Sequence, residues 1–336
     1  MFEPSSVPLR RLVWIALALS LGAAVSLGIT RFAYGLLLPV MREDLDWGYT
    51  LAGAMNTANA GGYLLGALAT PWLMRRFGAA RVLLAGAVLA SGFMAASGFF
   101  TAAGPLLLQR LLAGVASAFV FVAGGLLAAR LGAQAPQHAG LLLGLYYGGT
   151  GWGISASALA VPGLLRAAAD VPHGWSWAWW GLALLCLLAT LVLWWPASIL
   201  QKSELLAHTG QAPAAHLIHE PLPWRRMMPA LAGYTLFGVG YIGYMTFVIA
   251  LLREQGVAPA AITLFYALLG LAVVASARIW AGLLNRAKGG GALALLNALL
   301  GVATILPALT RAWPLVLTSG LLFGAVFLSV VASTTA

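Results

Sequence analysis

The stretch LVWIALALSLGAAVSLGITRFAYGLLLPVM, residues 12–41, decides the class of this protein, because Arg31 is its only charged side chain. A helix of about 20 apolar residues already crosses the hydrocarbon core of a membrane. Arg10 and Arg11 precede the stretch, as basic residues precede the apolar core of a secretory signal peptide. The run is too long for such a peptide and continues past Arg31 instead of stopping at a cleavage site. It therefore predicts a retained transmembrane helix.

The composition extends this prediction to the whole chain. Hydrophobic residues make up 62% and charged residues 8% of the 336 positions, whereas soluble domains have about 45–50% and about 25%. The chain has a single cysteine, Cys186, which excludes a small disulfide-rich fold. The net charge of +10 does not indicate nucleic-acid binding, because no water-exposed basic domain carries it. We expect a polytopic protein whose partners are the lipid bilayer and a small-molecule substrate.

Ten apolar stretches are long enough to span the bilayer. Lysine and arginine are enriched on the cytoplasmic side of membrane proteins. With the N-terminus inside, eleven of the 18 basic residues fall on the inner side and four on the outer side. This pattern predicts a multi-pass protein of the cell inner (plasma) membrane with a cytoplasmic N-terminus. The predicted spans are 12–40, 49–73, 81–101, 105–129, 139–165, 175–197, 229–252, 259–284, 290–309 and 313–336.

The spans fall into two groups around one long hydrophilic stretch. We predict an N-terminal bundle of six helices over 1–195, a cytoplasmic connecting loop over 196–228 and a C-terminal bundle of four helices over 229–336. The short basic turn RRFGAAR at 75–81 and the turn NRAKGGG at 285–291 occupy the same place in each group. A duplicated helical unit of this kind is one of the layouts of membrane transporters.

Five segments in order resemble the major facilitator superfamily (MFS), most closely its bacterial YbfB/YjiJ branch. The resemblance implies an all-α, two-bundle MFS transporter fold with about ten of the usual twelve transmembrane helices, moving a small solute by alternating access. It also implies a gating loop at Arg75, Arg76 and Gly78, repeated at Asn285 and Arg286, although the acidic residues of the family pattern are missing from both copies. The segments are RFAYGLLLPVM (31–41), AGGYLLGA (60–67), GLYYGGTGWG (144–153), GVGYIGYMTF (238–247) and IWAGLLNR (279–286).

The sequence stops at Ala336, inside or at the end of the tenth span. Because members of the family have twelve helices, we expect a chain truncated at its C-terminus. A second hypothesis therefore stays open, in which the chain is a non-transporting remnant or serves only as a membrane assembly partner. Two further apolar spans encoded downstream would favour a carrier.

The candidate substrate-binding residues are polar side chains within the spans. A charged side chain in the hydrocarbon is costly, so Arg31 and Arg110 are functional candidates that could capture an organic anion. The alternatives are that Arg110 braces neighbouring helices and that Arg31 reaches towards the membrane surface. Polar amides and tyrosines could either line a cavity or hold helices together. The full candidate set is Arg31, Tyr34, Asn56, Asn59, Arg110, Tyr241 and Tyr244.

Several chemistries have no support in the sequence. No predicted span contains a carboxylate or a histidine, so proton coupling would need Glu43, Asp44 or Asp46 beside the first span, or helices beyond this sequence. The chain has no phosphate-binding loop and no hydrolase set of residues at membrane depth. His216 and His219 in the hydrophilic loop lack further metal ligands. We expect a monomer that is not an enzyme and that holds no cofactor and no metal.

Overall fold

The structure is a computed structural model that describes residues 8–209, 224–286 and 290–333. Within these ranges all regular structure is helical, so the all-α prediction is confirmed. Most helices are longer than the roughly 20 residues that a bilayer requires. The helices are α1 (Leu9–Ala23), a π-helix (Ala24–Arg31), α2 (Tyr34–Asp44), α3 (Tyr49–Phe77), α4 (Ala79–Ser97), α5 (Ala103–Ala133), a 3-10 turn (Pro136–His138), α6 (Ala139–Ala167), α7 (Trp175–Thr209), α8 (Trp224–Glu254), α9 (Pro259–Arg286), α10 (Gly291–Leu309) and α11 (Trp313–Ser333).

Eight helical segments of the described chain are long and apolar enough to cross a membrane. The helices α3 and α6 are outside this set although each has 29 residues. Their asparagine, threonine and glycine residues lower the hydropathy, whereas a length of about 44 Å at 1.5 Å per residue is ample. Asn56 and Asn59 of α3 and Thr150 of α6 are buried, so neighbouring helices cover these polar groups. The described residues therefore form ten helical passes, as predicted.

The helices run alternately up and down. We call the end that holds the first turn of α1 the proximal end and the end that holds the α2–α3 turn the distal end. We call α1 to α7 the first half and α8 to α11 the second half. The helix α7 continues past residue 195 to Thr209, and α8 begins at Trp224, before residue 228, so helices extend into both ends of the predicted loop. The division of the chain into two bundles stays a prediction. His216 and His219 lie outside the described residues.

The first pass is interrupted where the sequence predicts a continuous helix. Its middle turns form a π-helix over Ala24–Arg31, and the peptide N–H of Phe32 donates to the Leu27 carbonyl five residues earlier, at 3.1 Å. The Thr30 hydroxyl donates to the Val25 carbonyl, also five residues earlier, at 2.6 Å. A π-helical turn of this kind is rare and often marks a functional site. It ends at Arg31, the only charged residue of the apolar stretch 12–41.

Glycines set how closely α6 approaches the first pass. A Cβ atom at position 28 would lie 2.6 Å from the Thr150 carbonyl oxygen and 2.7 Å from the Gly153 Cα. A Cβ atom at position 153 would lie 2.6 Å from the Ala24 carbonyl oxygen. Such distances leave no room for a side chain, so the two backbones are in direct contact. The helix α6 therefore holds the π-helix at a fixed depth in the bundle.

Candidate substrate-binding site

Arg31 lies at the end of the π-helix and faces the boundary between the two halves. Its side chain is 4% exposed. The guanidinium carbon lies 5.5 Å from the ring centre of Tyr63 on α3 and 5.4 Å from that of Tyr241 on α8. Within the described part of the chain, its buried Nε atom has no hydrogen-bond partner. The cation is therefore held by aromatic rings from both halves, which attract it electrostatically.

Arg110 lies on α5 and is 1% exposed. Its Nη1 donates to the Thr30 carbonyl at 2.8 Å, and its guanidinium carbon lies 5.1 Å and 5.5 Å from the ring centres of Tyr34 and Trp179. The Nε and Nη2 atoms have no hydrogen-bond partner among the residues that the structure describes. Arg110 thus braces the first half beside the π-helix, which is the structural alternative considered from the sequence.

The two arginines form one region of positive charge. Arg110 bonds to the carbonyl of Thr30, the residue before Arg31, so two like charges are buried in the same region. Neither forms an ion pair with a carboxylate of the described side chains. Buried charges in proteins are paired or bind an ion of opposite sign. An anion would relieve both the repulsion and the missing hydrogen bonds.

Four tyrosines around Arg31 differ from the other five in the chain. Tyr63 and Tyr241 flank the guanidinium. Tyr147 packs against the Phe121 ring, which Tyr63 also contacts, and Tyr234 packs against the Phe237 ring, which Tyr241 also contacts. In the ranges that the structure describes, none of these four hydroxyls has a hydrogen-bond partner. The other five hydroxyls are all bonded. They are Tyr34 to the Ala52 carbonyl, Tyr49 to Glu254, Tyr146 to the Phe121 carbonyl, Tyr244 with Ser319 and Tyr266 to the Phe32 carbonyl.

The cluster of Arg31, Tyr63, Tyr147, Tyr234 and Tyr241 is the candidate site, and we call it the Arg31 cluster. It draws residues from the π-helix, α3, α6 and α8, so it spans the boundary between the halves. Arg31 and Tyr241 belong to the predicted binding set, whereas Tyr63 was missed as a site residue. A signal for it exists in the sequence, because Tyr63 follows Asn56 by seven residues and therefore shares its helix face.

The remaining predicted binding residues make contacts within the protein. The Asn59 amide donates to the Arg110 carbonyl at 3.0 Å, and the Asn56 amide donates to the Thr246 hydroxyl at 2.5 Å. The Tyr34 and Tyr244 hydroxyls are bonded as described above. These four residues bond one helix to another, and their role in substrate binding stays a prediction.

The comparisons with known proteins point to one family. The family model described as "Uncharacterised MFS-type transporter YbfB" matches residues 23–336. The chain belongs to this family. The resemblance read from the five segments is therefore confirmed, and the chain is a multi-pass membrane protein of a transporter family. No curated protein sequence matches it significantly.

Solved structures of MFS transporters share the fold at low sequence identity. The crystal structure of a D-xylose-proton symporter matches with a TM-score of 0.64 and 16% identity, over 95% of this chain and 80% of the symporter chain. A bacterial homolog of the human lysosomal transporter Spinster, in an inward-facing and occupied conformation, matches with a TM-score of 0.66 and 14% identity, over 98% of this chain and 78% of the other. At these identities the likeness shows the two-bundle fold alone.

The halves of this MFS fold meet at the distal end. The Tyr49 hydroxyl donates to the Glu254 carboxylate, and the Asn56–Thr246 bond lies farther into the bundle. A Cβ atom at position 35 would collide with the Met245 carbonyl oxygen, so α2 and α8 touch through their backbones. Together these contacts close the distal end above the Arg31 cluster.

The predicted gating residues lie at the proximal end. Arg75 and Arg76 are exposed in the last turn of α3, and Gly78 ends that helix with a φ of 84°, a conformation that favours glycine. Arg286 is exposed in the last turn of α9. The side chain of Asn285 and all of residues 287–289 lie outside the description. A gating role for these residues stays a prediction.

Proposed function

We propose that the protein is a secondary transporter that moves a small organic anion across the bacterial inner membrane by alternating access between its two halves. The observation that carries the proposal is Arg31, a buried guanidinium that lies against the rings of Tyr63 and Tyr241 and forms no ion pair with a described carboxylate. Membership of a transporter family supports the transport part of the proposal.

The chemistry of the Arg31 cluster favours an anion with an apolar body. The guanidinium offers a planar set of N–H donors that match a carboxylate or phosphate group. Tyr63 and Tyr241 lie against the guanidinium, so their hydroxyls are the nearest further donors of the cluster, and the tyrosine rings provide apolar area. Arg110, which bonds to the Thr30 carbonyl beside Arg31, adds a second buried positive charge. A neutral sugar would leave this charge uncompensated, so we expect it to bind more weakly.

The route to the site follows from the predicted orientation. If the N-terminus is cytoplasmic, the distal end faces outwards and is closed in this conformation by Tyr49, Asn56 and their partners on α8. The Arg31 cluster would then be reached from the cytoplasm. Transport requires a second conformation in which the distal contacts part and the proximal end closes. We propose that the basic turns at Arg76 and Arg286 take part in that proximal closure.

A ligand screen tests the proposal. The purified protein would be heated with carboxylates, organic phosphates, sugars, amino acids and aromatic compounds, and the shift in unfolding temperature would be recorded. We expect anionic compounds to stabilise it and Arg31→Gln to weaken their binding by about 10- to 100-fold, since bonds to charged groups contribute about 1.5–3 kcal/mol. The matched control is Arg278→Gln, which removes an exposed arginine of α9.

Uptake into proteoliposomes with the best ligand would then separate binding from transport. Equal affinity of the wild type and Arg31→Gln for that ligand would overturn the assignment of the site. Stabilisation by neutral sugars as strong as that by carboxylates would overturn the substrate class. Binding without uptake would leave the cluster as a ligand site and refute transport by this chain.

A further inference from the structure

A second cavity lies at the distal end, apart from the Arg31 cluster. It has a volume of about 600 Å³ and is formed by α2, α6, α8 and α9, so both halves contribute to it. Most of its lining is apolar. Two arginines are the only charged side chains that line it, Arg166 from the last turn of α6 and Arg253 from the last turn of α8. We call it the distal arginine cavity.

Both arginines are available for a ligand. Neither side chain forms an ion pair, a hydrogen bond or a ring contact with another residue in the described part of the chain. Glu254, the residue after Arg253, accepts a hydrogen bond from Tyr49 instead. A cation in the last turn of a helix complements the helix dipole, which accounts for each arginine separately. The helix dipole does not explain why two arginines from opposite halves line the same apolar cavity.

The position of the cavity identifies the kind of ligand. The apolar part of the lining includes Val40, Leu165, Ile249 and Ile262. Leu159 at its rim is 66% exposed, so the cavity opens sideways to the surface that faces lipid in a membrane protein. The arginines lie near helix ends, which is the depth of lipid headgroups. A free anion would gain nothing from the apolar walls, whereas a hydrocarbon chain would.

We propose that the distal arginine cavity binds an anionic phospholipid, with its phosphate between Arg166 and Arg253 and an acyl chain along the apolar walls. Because the two arginines belong to opposite halves, the bound headgroup links the halves at the distal end. It therefore stabilises the conformation with closed distal contacts. The binding site itself does not depend on which solute the protein transports.

Lipid binding to the purified full chain tests this proposal. Dioleoyl phosphatidylglycerol, dioleoyl phosphatidylcholine and sodium phosphate would each be titrated in a neutral detergent, with native mass spectrometry counting bound lipid and thermal unfolding measuring stabilisation. We expect phosphatidylglycerol to bind with about fivefold lower affinity to Arg166→Ala or Arg253→Ala and about 25-fold lower affinity to the double variant, as one basic group near an anionic lipid contributes about a factor of five.

Arg311→Ala is the matched control, because Arg311 is an exposed arginine at the distal end that does not line the cavity. It should bind phosphatidylglycerol as the wild type does. If the alanine variants do not fold, Arg166→Gln and Arg253→Gln serve instead. The proposal is overturned if the double variant keeps wild-type affinity, if phosphatidylcholine binds as tightly as phosphatidylglycerol, or if phosphate alone gives the same stabilisation.

Discussion

At the scale of single residues, Tyr63 and Tyr146 show how the same side chain serves two purposes. The Tyr146 hydroxyl donates to the Phe121 carbonyl at 2.9 Å, and its ring is fully buried. The Tyr63 hydroxyl has no partner among the described residues, and its ring faces Arg31. A bonded, buried hydroxyl contributes to stability, whereas an unpartnered one in a charged site is available to a ligand.

Removal of the Tyr146 hydroxyl should therefore lower stability, whereas removal of the Tyr63 hydroxyl should weaken ligand binding. We expect Tyr146→Phe to lower the free energy of unfolding by about 1 kcal/mol, because it leaves the Phe121 carbonyl without that donor. We expect Tyr63→Phe to leave stability almost unchanged and to weaken binding of the anionic ligand by up to about tenfold. Thermal unfolding with and without ligand measures both effects. A loss of stability in Tyr63→Phe that matches that of Tyr146→Phe would contradict this division of roles.

Arg110 is expected to act mainly through structure. Lysine at this position keeps the charge but loses the planar group that lies against the Tyr34 and Trp179 rings and reaches the Thr30 carbonyl. We expect Arg110→Lys to lower the free energy of unfolding by about 1–3 kcal/mol, from the lost ring contacts and the buried bond. Arg278→Lys, an exposed site, is the control. Unchanged thermal unfolding of Arg110→Lys would show that Arg110 does not brace the π-helix.

At the scale of helices, α6 is the element that positions the site. Its glycines contact the first pass on one side and α9 on the other. A Cβ atom at Gly151 would collide with the Gly270 carbonyl of α9, and the Ser155 hydroxyl donates to the Ala267 carbonyl at 2.9 Å. The helix also carries Tyr147 into the Arg31 cluster. Close packing of α6 therefore sets both the depth of the π-helix and the contact between the halves.

Two glycines of α6 provide a matched test of this packing. We expect Gly153→Ala to destabilise the protein by about 1–3 kcal/mol, because its Cβ would lie 2.8 Å from the Gly28 Cα and 2.6 Å from the Ala24 carbonyl oxygen. Gly163→Ala has no atom within 4 Å of its Cβ and should be neutral or slightly stabilising, since alanine is the better helix former. Thermal unfolding compares the two. Equal stability of both variants would show that the π-helix can move away from α6.

At the scale of the whole molecule, closure of the distal end depends on few polar contacts. Tyr49 is held by the Glu254 carboxylate and packs edge-on against Phe247, with ring centres 6.0 Å apart. The Arg42 guanidinium lies 4.3 Å from the Tyr49 ring centre. Loss of a single contact can shift a balance between two conformations that differ by a few kcal/mol.

Release of Tyr49 should shift the protein towards a conformation with an open distal end. Spin labels on exposed positions 50 and 258 would report the distance across this end, and the only native cysteine, Cys186, is buried. We expect Tyr49→Phe to increase the long-distance population several-fold, since a hydrogen bond to a charged group contributes about 1.5–3 kcal/mol. Thr318→Val, which removes a hydroxyl bonded within α11, is the control. An unchanged distance distribution in Tyr49→Phe would show that the hydrogen bond between Tyr49 and Glu254 does not hold the distal end closed.

The sequence alone was sufficient for the class, the number of helical passes and the family, because hydropathy and charge act along the chain and need no partner. It also singled out Arg31 and Arg110, since a charge within an apolar run is conspicuous without a structure. It did not predict the π-helix, which depends on contact of Gly28 with α6. The length of α7 was underestimated, because its last turns are hydrophilic and leave no hydropathy signal.

Only the tertiary structure decided which polar side chains belong to the site. Tyr34 and Tyr63 look equivalent in sequence, yet the first hydroxyl is bonded and the second is without a described partner. The pairing of Arg31 with Tyr241 joins residues of opposite halves, and the distal arginine cavity likewise needs α6 and α8 side by side. Burial and hydrogen-bond partners are properties of neighbouring helices rather than of one helix. A pattern along the chain therefore identifies membrane helices, whereas the packing of those helices determines which of their polar groups can meet a ligand.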